Sequence, residues 1–189
     1  MHAVRRSLLE AQAVAAGIPL FQVPLPWPCS NEQYEARMAE ACRRAVAQGF
    51  EAIAFGDLFL RDVRAYRERQ MAGSGLTPVF PLWEMPTAAL AEEMIAAGLR
   101  ARITCVDTRV LDGAFAGREF DRTLLADLPP AVDPCGENGE FHTFAWDGPM
   151  FRCPLPVECG ETRVAEGFVF RDLISKAVPA GTPAPLALS

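Results

Sequence analysis

FEAIAFGD, residues 50–57, is the stretch on which the fold turns. Its first six residues form an almost unbroken apolar run of strand length that stops abruptly at Gly56-Asp57, the pattern of a strand covered on both faces. A second run, ARITCV at 101–106, has the same character and stops at Asp107. Between the two lie a helix predicted over 60–71, a GSG break at 73–75, the poor strand or extended link TPVFPLW, and the helix AALAEEMIAAGL with Thr87 as its cap. Upstream, Val4, Leu8, Leu9 and Ala13 fall at helical spacing before Gly17. IPLFQVPLP reads as a short strand whose three prolines suit an exposed or terminal position. Ser30 and Gln33 form a capping box opening a helix with the stripe Tyr34, Met38, Ala41, Cys42 and Ala45, closed by Gly49.

This alternation predicts an α/β fold, a Rossmann-like layered domain with a parallel sheet over 1–110. Past residue 110 the texture changes. A loop and a helix in LDGAFAGREFDRTLLADLPP lead to two runs that pair as an antiparallel hairpin about Glu166-Gly167, giving a small α+β domain over 111–175. The Pro/Ala-rich segment 176–189 reads as a disordered tail.

Composition narrows the function. The apolar share of 50% and charged share of 22% are those of an ordinary globular protein, and no apolar run approaches the length of a membrane span. The start lacks a signal peptide's apolar centre, so a cytoplasmic protein that avoids membranes is expected. A net charge of -6 gives the chain as a whole no attraction for a nucleic-acid backbone. Six cysteines, at 29, 42, 105, 135, 153 and 159, are scattered, which favours reduced thiols; Cys135, His142, Cys153 and Cys159 lack the paired spacing of a zinc site, and no metal ligands are assigned from spacing.

Ligands of open α/β sheets bind beyond the carboxyl ends of strands, which singles out Gly56-Asp57 and Asp107. Gly56 lets a ligand approach the backbone. Asp57 suits a magnesium ion or a ribose hydroxyl, or equally an N-cap for the next helix. Arg61, Arg64 and Arg67 line one helical flank, as a solvated face paired with Asp62 and Glu68 or as a contact for phosphates or an acidic partner.

The densest polar chemistry is DPCGENGEFHTFAWDG, 133–148. It is either a tight turn before a strand or a binding loop carried on one. Asp133, Glu137 and Glu140 make it electronegative, suited to a cation, an amine or ammonia rather than to a bare phosphate. Glu137 and Glu140 are expected to be exposed loop carboxylates. Phe141, Phe144 and Trp146 are near enough for some of them to offer ring faces to an alkylammonium group, and His142 is placed either to shuttle a proton or simply to be hydrogen-bonded.

IPLFQVPLPWPCSNEQYE, AIAFGDLFLRDVRAYRE, LTPVFPLW, TCVDTRVLD and above all DPCGENGEFHTFAWDGPMF together resemble the diphthine-ammonia ligase family, ATP-binding proteins of the PP-loop (adenine nucleotide alpha hydrolase-like) superfamily. The resemblance runs from Met1 to about Leu173. It implies ATP-dependent amidation: a carboxylate is adenylated and ammonia displaces AMP, with ATP and magnesium at the nucleotide site. The family's acceptor is diphthine, a modified histidine of a translation elongation factor that bears a trimethylammonium group. For this chain the acceptor is an unassigned carboxylate, on a protein or not, and a homo-oligomer is compatible with the family. Carried over, Gly56 and Asp57 lie by the nucleotide, Glu137, Glu140 and His142 do the chemistry, and Asn138 and Gly139 bind the acceptor, the two groups meeting in one crevice. The family's opening strand, Ser-Gly-Gly-x-Asp-Ser phosphate loop, helix and second strand have no counterpart in residues 1–189. The layered domain is therefore expected to be incomplete at its N-terminal side, the chain being a shortened form of a longer one. A module that binds a cationic ligand or a translation factor without catalysis is the alternative.

Overall fold

The computed structural model describes residues 4–26 and 28–176; the tail expected at 176–189 lies, apart from Lys176, outside them. The fold is mixed α/β, with a small parallel sheet and a separate antiparallel one. Two compact units carry these sheets, Leu20–Leu90 and the combination of Met1–Pro19 with Ala91–Ser189.

Helix α1, Arg6–Ala16, belongs to the second of these units, and the first element of the unit Leu20–Leu90 is α2, Asn31–Ala47. Its capping box forms as expected, with the Ser30 hydroxyl accepting from the Gln33 N–H and the Gln33 side chain accepting from the Ser30 N–H. Strand β1, Ala52–Ala54, pairs in parallel with β2, Thr77–Val79, and α3, Arg61–Met71, connects them. Cys42 of α2, Met71 of α3 and Leu76 form the local core, with Ala45, Ile53 and Phe55 packed against it.

Two expectations fail here. FEAIAF supplies only a three-residue strand, and of it only Ile53 is turned inward while Ala52 and Ala54 are exposed. An apolar run reveals that a strand is suited to burial, not whether a second layer is present to bury it. IPLFQVPLP forms no strand at all: Pro19, Pro24 and Pro26 have no N–H to donate, and Leu20, Phe21 and Leu25 stay exposed.

The other unit is built on a four-stranded antiparallel sheet, ordered β4-β3-β6-β5. Its strands are β3 (Arg100–Asp107), β4 (Phe141–Asp147), β5 (Val157–Ala165) and β6 (Phe168–Ser175). β3, read above as part of a parallel sheet, is instead a central strand between β4 and β6. Both settings bury a strand on two faces, so the apolar run alone does not distinguish them. The β5–β6 hairpin forms where expected, with Glu166 at φ 53° and Gly167 at φ 80° in the turn that matches strand twist.

One face of this sheet carries the main core. Helix α4, Thr87–Ala96, and helix α5, Arg122–Asp127, contribute Ala91 and Leu124 to a cluster with Ile103, Val106, Leu111, Phe120 and Phe141. Helix α1, Arg6–Ala16, brings Leu8 against Phe144 and Leu173 in a second cluster, and its Gln12 side chain donates to the Ala145 carbonyl. Arg5, just before α1, grips the Asp172 carboxylate of β6 with two nitrogens, which ties the helix to the sheet.

Candidate functional site

The segment joining α5 to β4 is a pair of linked turns. Asp133 and Pro134 open the first, closed by the Gly136 N–H donating to the Asp133 carbonyl at 2.9 Å; the second follows at once, with the Gly139 N–H donating to the Gly136 carbonyl at 3.0 Å. Both glycines sit at positive φ, 69° and 84°. At Gly136 the requirement is double, because a Cβ there would stand 2.8 Å from the Phe141 carbonyl oxygen.

Two buried carboxylates fix this double turn from inside. Oδ2 of Asp133 accepts from the N–H groups of Cys135 (3.2 Å) and Glu137 (2.9 Å). Oε1 of Glu140 accepts from the Asp133 N–H (3.0 Å) and from the Asn138 side-chain amide (2.9 Å). The Glu140 carbonyl meanwhile accepts from the Asp107 N–H, joining the loop to the end of β3. Glu140 is only 4% exposed, so the expectation of an exposed carboxylate is corrected for this residue. Its other oxygen, Oε2, is buried and has no hydrogen-bond partner. Glu137 is half-buried and Asn138 is exposed. The Cys135 thiol between them is pushed up to about 11 by burial and by the negative charges of Asp133 and Glu137, so it is a neutral thiol.

His142 is the second residue of β4, paired opposite Cys105, and its carbonyl accepts from the Thr104 hydroxyl at 3.3 Å. A register shift between Ile103 and Cys105 leaves Thr104 as the extra residue of a bulge beside His142. The aromatic residues of β4 do not line the loop. Phe141 and Phe144 are 2% and 3% exposed in the two separate core clusters, and the Arg100 guanidinium covers the Trp146 ring at 4.5 Å. Strand alternation sends them inward, so the expected ring faces for an alkylammonium group are not supplied here. Asp107, the other strand-end acid, is held by Arg109, whose guanidinium and N–H both bond its carboxylate and keep its titration below the ordinary range.

In the unit Leu20–Leu90, Gly56 is exposed, with nothing within 4 Å of where its Cβ would be, so there is room for a ligand at its backbone. Asp57 does not cap α3, whose N-cap is Leu60. Its Oδ2 instead lies 3.6 Å from Nε of Arg67, both atoms buried without a hydrogen bond. The arginines of the flank are engaged within their own unit: the exposed Arg61 meets Glu84 rather than Asp62, the half-buried Arg64 meets Glu68 as expected and lies over both Phe80 and Trp83, and the half-buried Arg67 also lies over Phe55. Among the described residues no group of three or more His, Cys, Asp or Glu side chains is arranged to hold a metal ion, and no helix is long and apolar enough to cross a membrane.

Comparison with known proteins places the loop. Residues 86–177 match the family description "Diphthamide synthase C-terminal domain". Over those residues the chain is similar to the diphthamide synthase C-terminal domain. Curated relatives named diphthine–ammonia ligase agree: the Danio rerio protein is 30% identical over 118 residues, covering 59% of this chain and 46% of that protein. The Bos taurus protein is 30% identical over 125 residues (62% and 47%), and the Homo sapiens protein 29% over 125 (64% and 47%). The chain thus spans about half the length of the curated relatives it matches. The matched segment contains α4, the whole antiparallel sheet and the loop with Glu137, Asn138, Gly139, Glu140 and His142; Gly56 and Asp57 lie outside it.

What reading the sequence missed in this domain is Asp133 as an organising residue. Its signal was present in Asp-Pro-x-Gly, where the acid precedes proline in a turn and its short side chain reaches the N–H groups that follow.

Proposed function

We propose that this chain is part of an ATP-dependent, amide-forming ligase, and that its diphthamide synthase domain recognises the acceptor carboxylate. The acceptor oxygen attacks the α-phosphorus of ATP and pyrophosphate leaves. Ammonia nitrogen then bonds to the acyl carbon, the bond from that carbon to the AMP oxygen breaks, and AMP departs with the electron pair while the nitrogen gives up a proton. Glu137 and His142 are the residues assigned to the acceptor and to that proton, and Asn138 and Gly139 to holding the acceptor. The supporting observation is the construction of the loop within the matched segment: an electronegative double turn fixed from inside by Asp133 and Glu140, so that Glu137 and Asn138 are held on a scaffold.

For the nucleotide, Gly56 offers open space at the end of β1 and Asp57 a carboxylate. Magnesium ordinarily binds to one or two carboxylates together with the phosphates of its nucleotide. One carboxylate with no preformed cage fits an ion that arrives with ATP, where it would neutralise phosphate charge. Such a protein works where ATP and translation factors are, in the cytoplasm.

The test is AMP formation from ATP by the protein as its source encodes it, with ammonium and two kinds of acceptor, a diphthine-bearing elongation factor and small betaine carboxylates. AMP that requires both ammonium and acceptor is the expected result; no AMP with any acceptor overturns the reading. Because Ser-Gly-Gly-x-Asp-Ser is absent from these 189 residues, a second reading is a non-catalytic module for a cationic ligand. Calorimetric titration separates them, since the module binds trimethylammonium carboxylates without binding ATP.

A further inference from the structure

Within the loop, the chemistry assigned above leaves a buried carboxylate oxygen without a role. Oε2 of Glu140 has no hydrogen-bond partner in a residue that is 4% exposed, whereas Oε1 of the same carboxylate accepts two hydrogen bonds. A buried carboxylate oxygen without a donor is expensive, so a group that is not part of the chain is expected to satisfy it. The surroundings select the class of that group. Asp133, itself 9% exposed, places its carboxylate on the backbone of the same double turn, and among the described residues neither Asp133 nor Glu140 is bonded to an arginine or lysine. An anion is repelled, and a bulky quaternary ammonium has no N–H to offer a carboxylate oxygen.

From this we infer that Oε2 of Glu140 is the docking atom for a compact cation bearing N–H donors, the ammonium ion. The assignment rests on the ligase reading and deepens it: Glu140 holds the nitrogen source as ammonium, which gives its first proton to solvent to become the attacking ammonia, leaving Glu137 and His142 to the acceptor and to the second proton. Ammonium is about the size of water and carries four donors, so among N–H cations it needs the least room at a single buried acceptor.

Two measurements test it, one of them independent of turnover. The first is thermal unfolding of the intact protein in ammonium, sodium or tetramethylammonium chloride at equal ionic strength. Ammonium should raise the midpoint of the wild type above the sodium value, tetramethylammonium should not, and Glu140→Gln should abolish the ammonium-specific rise. No ammonium-specific rise in the wild type, or an equal rise in Glu140→Gln, overturns the site and leaves an ordinary water as the partner. Glu140→Asp, which keeps the charge but withdraws it, serves if Glu140→Gln does not fold, with the same two outcomes.

The second is the rate of AMP formation against ammonium concentration. Glu140→Gln should raise the KM for ammonium about tenfold to a hundredfold, the range one hydrogen bond to a charged group supplies, with the KM for ATP unchanged. An unchanged KM for ammonium, or equal changes in both constants, refutes the assignment. If the wild type forms no AMP the ligase reading fails by itself, and the unfolding experiment still decides the ammonium site.

Discussion

Replacing Asp133 with alanine removes the acceptor on which the first turn of the loop is built. Two backbone donors, the N–H groups of Cys135 and Glu137 at 3.2 and 2.9 Å, lose a charged partner at a residue that is 9% exposed. A hydrogen bond to a charged group contributes about 1.5–3 kcal/mol, and water reaches part of this loop to compensate, so the expected cost for the pair is about 2–4 kcal/mol. Asp133→Asn keeps an acceptor oxygen without the charge and should lose roughly half of that. Glu137→Gln, which keeps the shape of a half-buried side chain and leaves both N–H bonds to Asp133 in place, should stay within about 0.5 kcal/mol. Urea denaturation of the three variants gives the ranking, and hydrogen exchange at the Glu137 amide shows where it originates, since Asp133→Ala should expose that amide while the amides of β3 keep their protection relative to global unfolding. Were Asp133→Ala to cost no more than Glu137→Gln, the loop would not be held by its buried carboxylates and the scaffold argument would fail.

Three further outcomes follow from the same geometry. Gly136→Ala should be destabilising by several kcal/mol, because it adds a contact of 2.8 Å with backbone to the strain of positive φ, whereas Gly139→Ala meets open space and should cost about 1 kcal/mol; denaturation midpoints give the comparison. The Cys135 thiol, pushed up to about 11, should be alkylated by iodoacetamide at pH 8 far more slowly than the exposed Cys153, as read by peptide mass spectrometry; equal rates would contradict its buried, anionic surroundings. Asp107 titrates below its ordinary value of 3.8 because Arg109 bonds it, so its contribution is fully present above that value and is lost as pH falls through the lower folded one. Arg109→Ala should therefore narrow the stability difference between pH 6 and pH 3, and an unchanged difference would show the pair to be inconsequential.

How much of this was legible beforehand depended on whether the signal was local. The capping box of Ser30 and Gln33, the stop at Gly17 and the hairpin at Glu166-Gly167 were all read correctly, because each is decided by a few adjacent residues and their own backbone preferences. The partners of a strand are not decided that way. ARITCV looks the same between two antiparallel neighbours as inside a parallel sheet, and FEAIAF looks buried although Ala52 and Ala54 are exposed.

At the loop, the composition of DPCGENGEFHT announced electronegative turns, yet it did not say which acid points inward. Glu140 is buried because the return of the chain brings the Asp133 N–H to its carboxylate. That distance of seven residues in sequence and 3.0 Å in space is a property of the closed loop, invisible to any window of spacing or periodicity.

The most direct test of the account is the rate of AMP formation by Glu137→Gln, with ammonium and a diphthine-bearing elongation factor or a betaine carboxylate as acceptor, measured beside its denaturation midpoint. The account predicts a fall in kcat/KM for the acceptor of about tenfold or more with stability unchanged, the cost of losing one charged contact that forms only with substrate. Unaltered kcat/KM in a folded Glu137→Gln protein would contradict it and return residues 133–142 to the status of a turn before a strand.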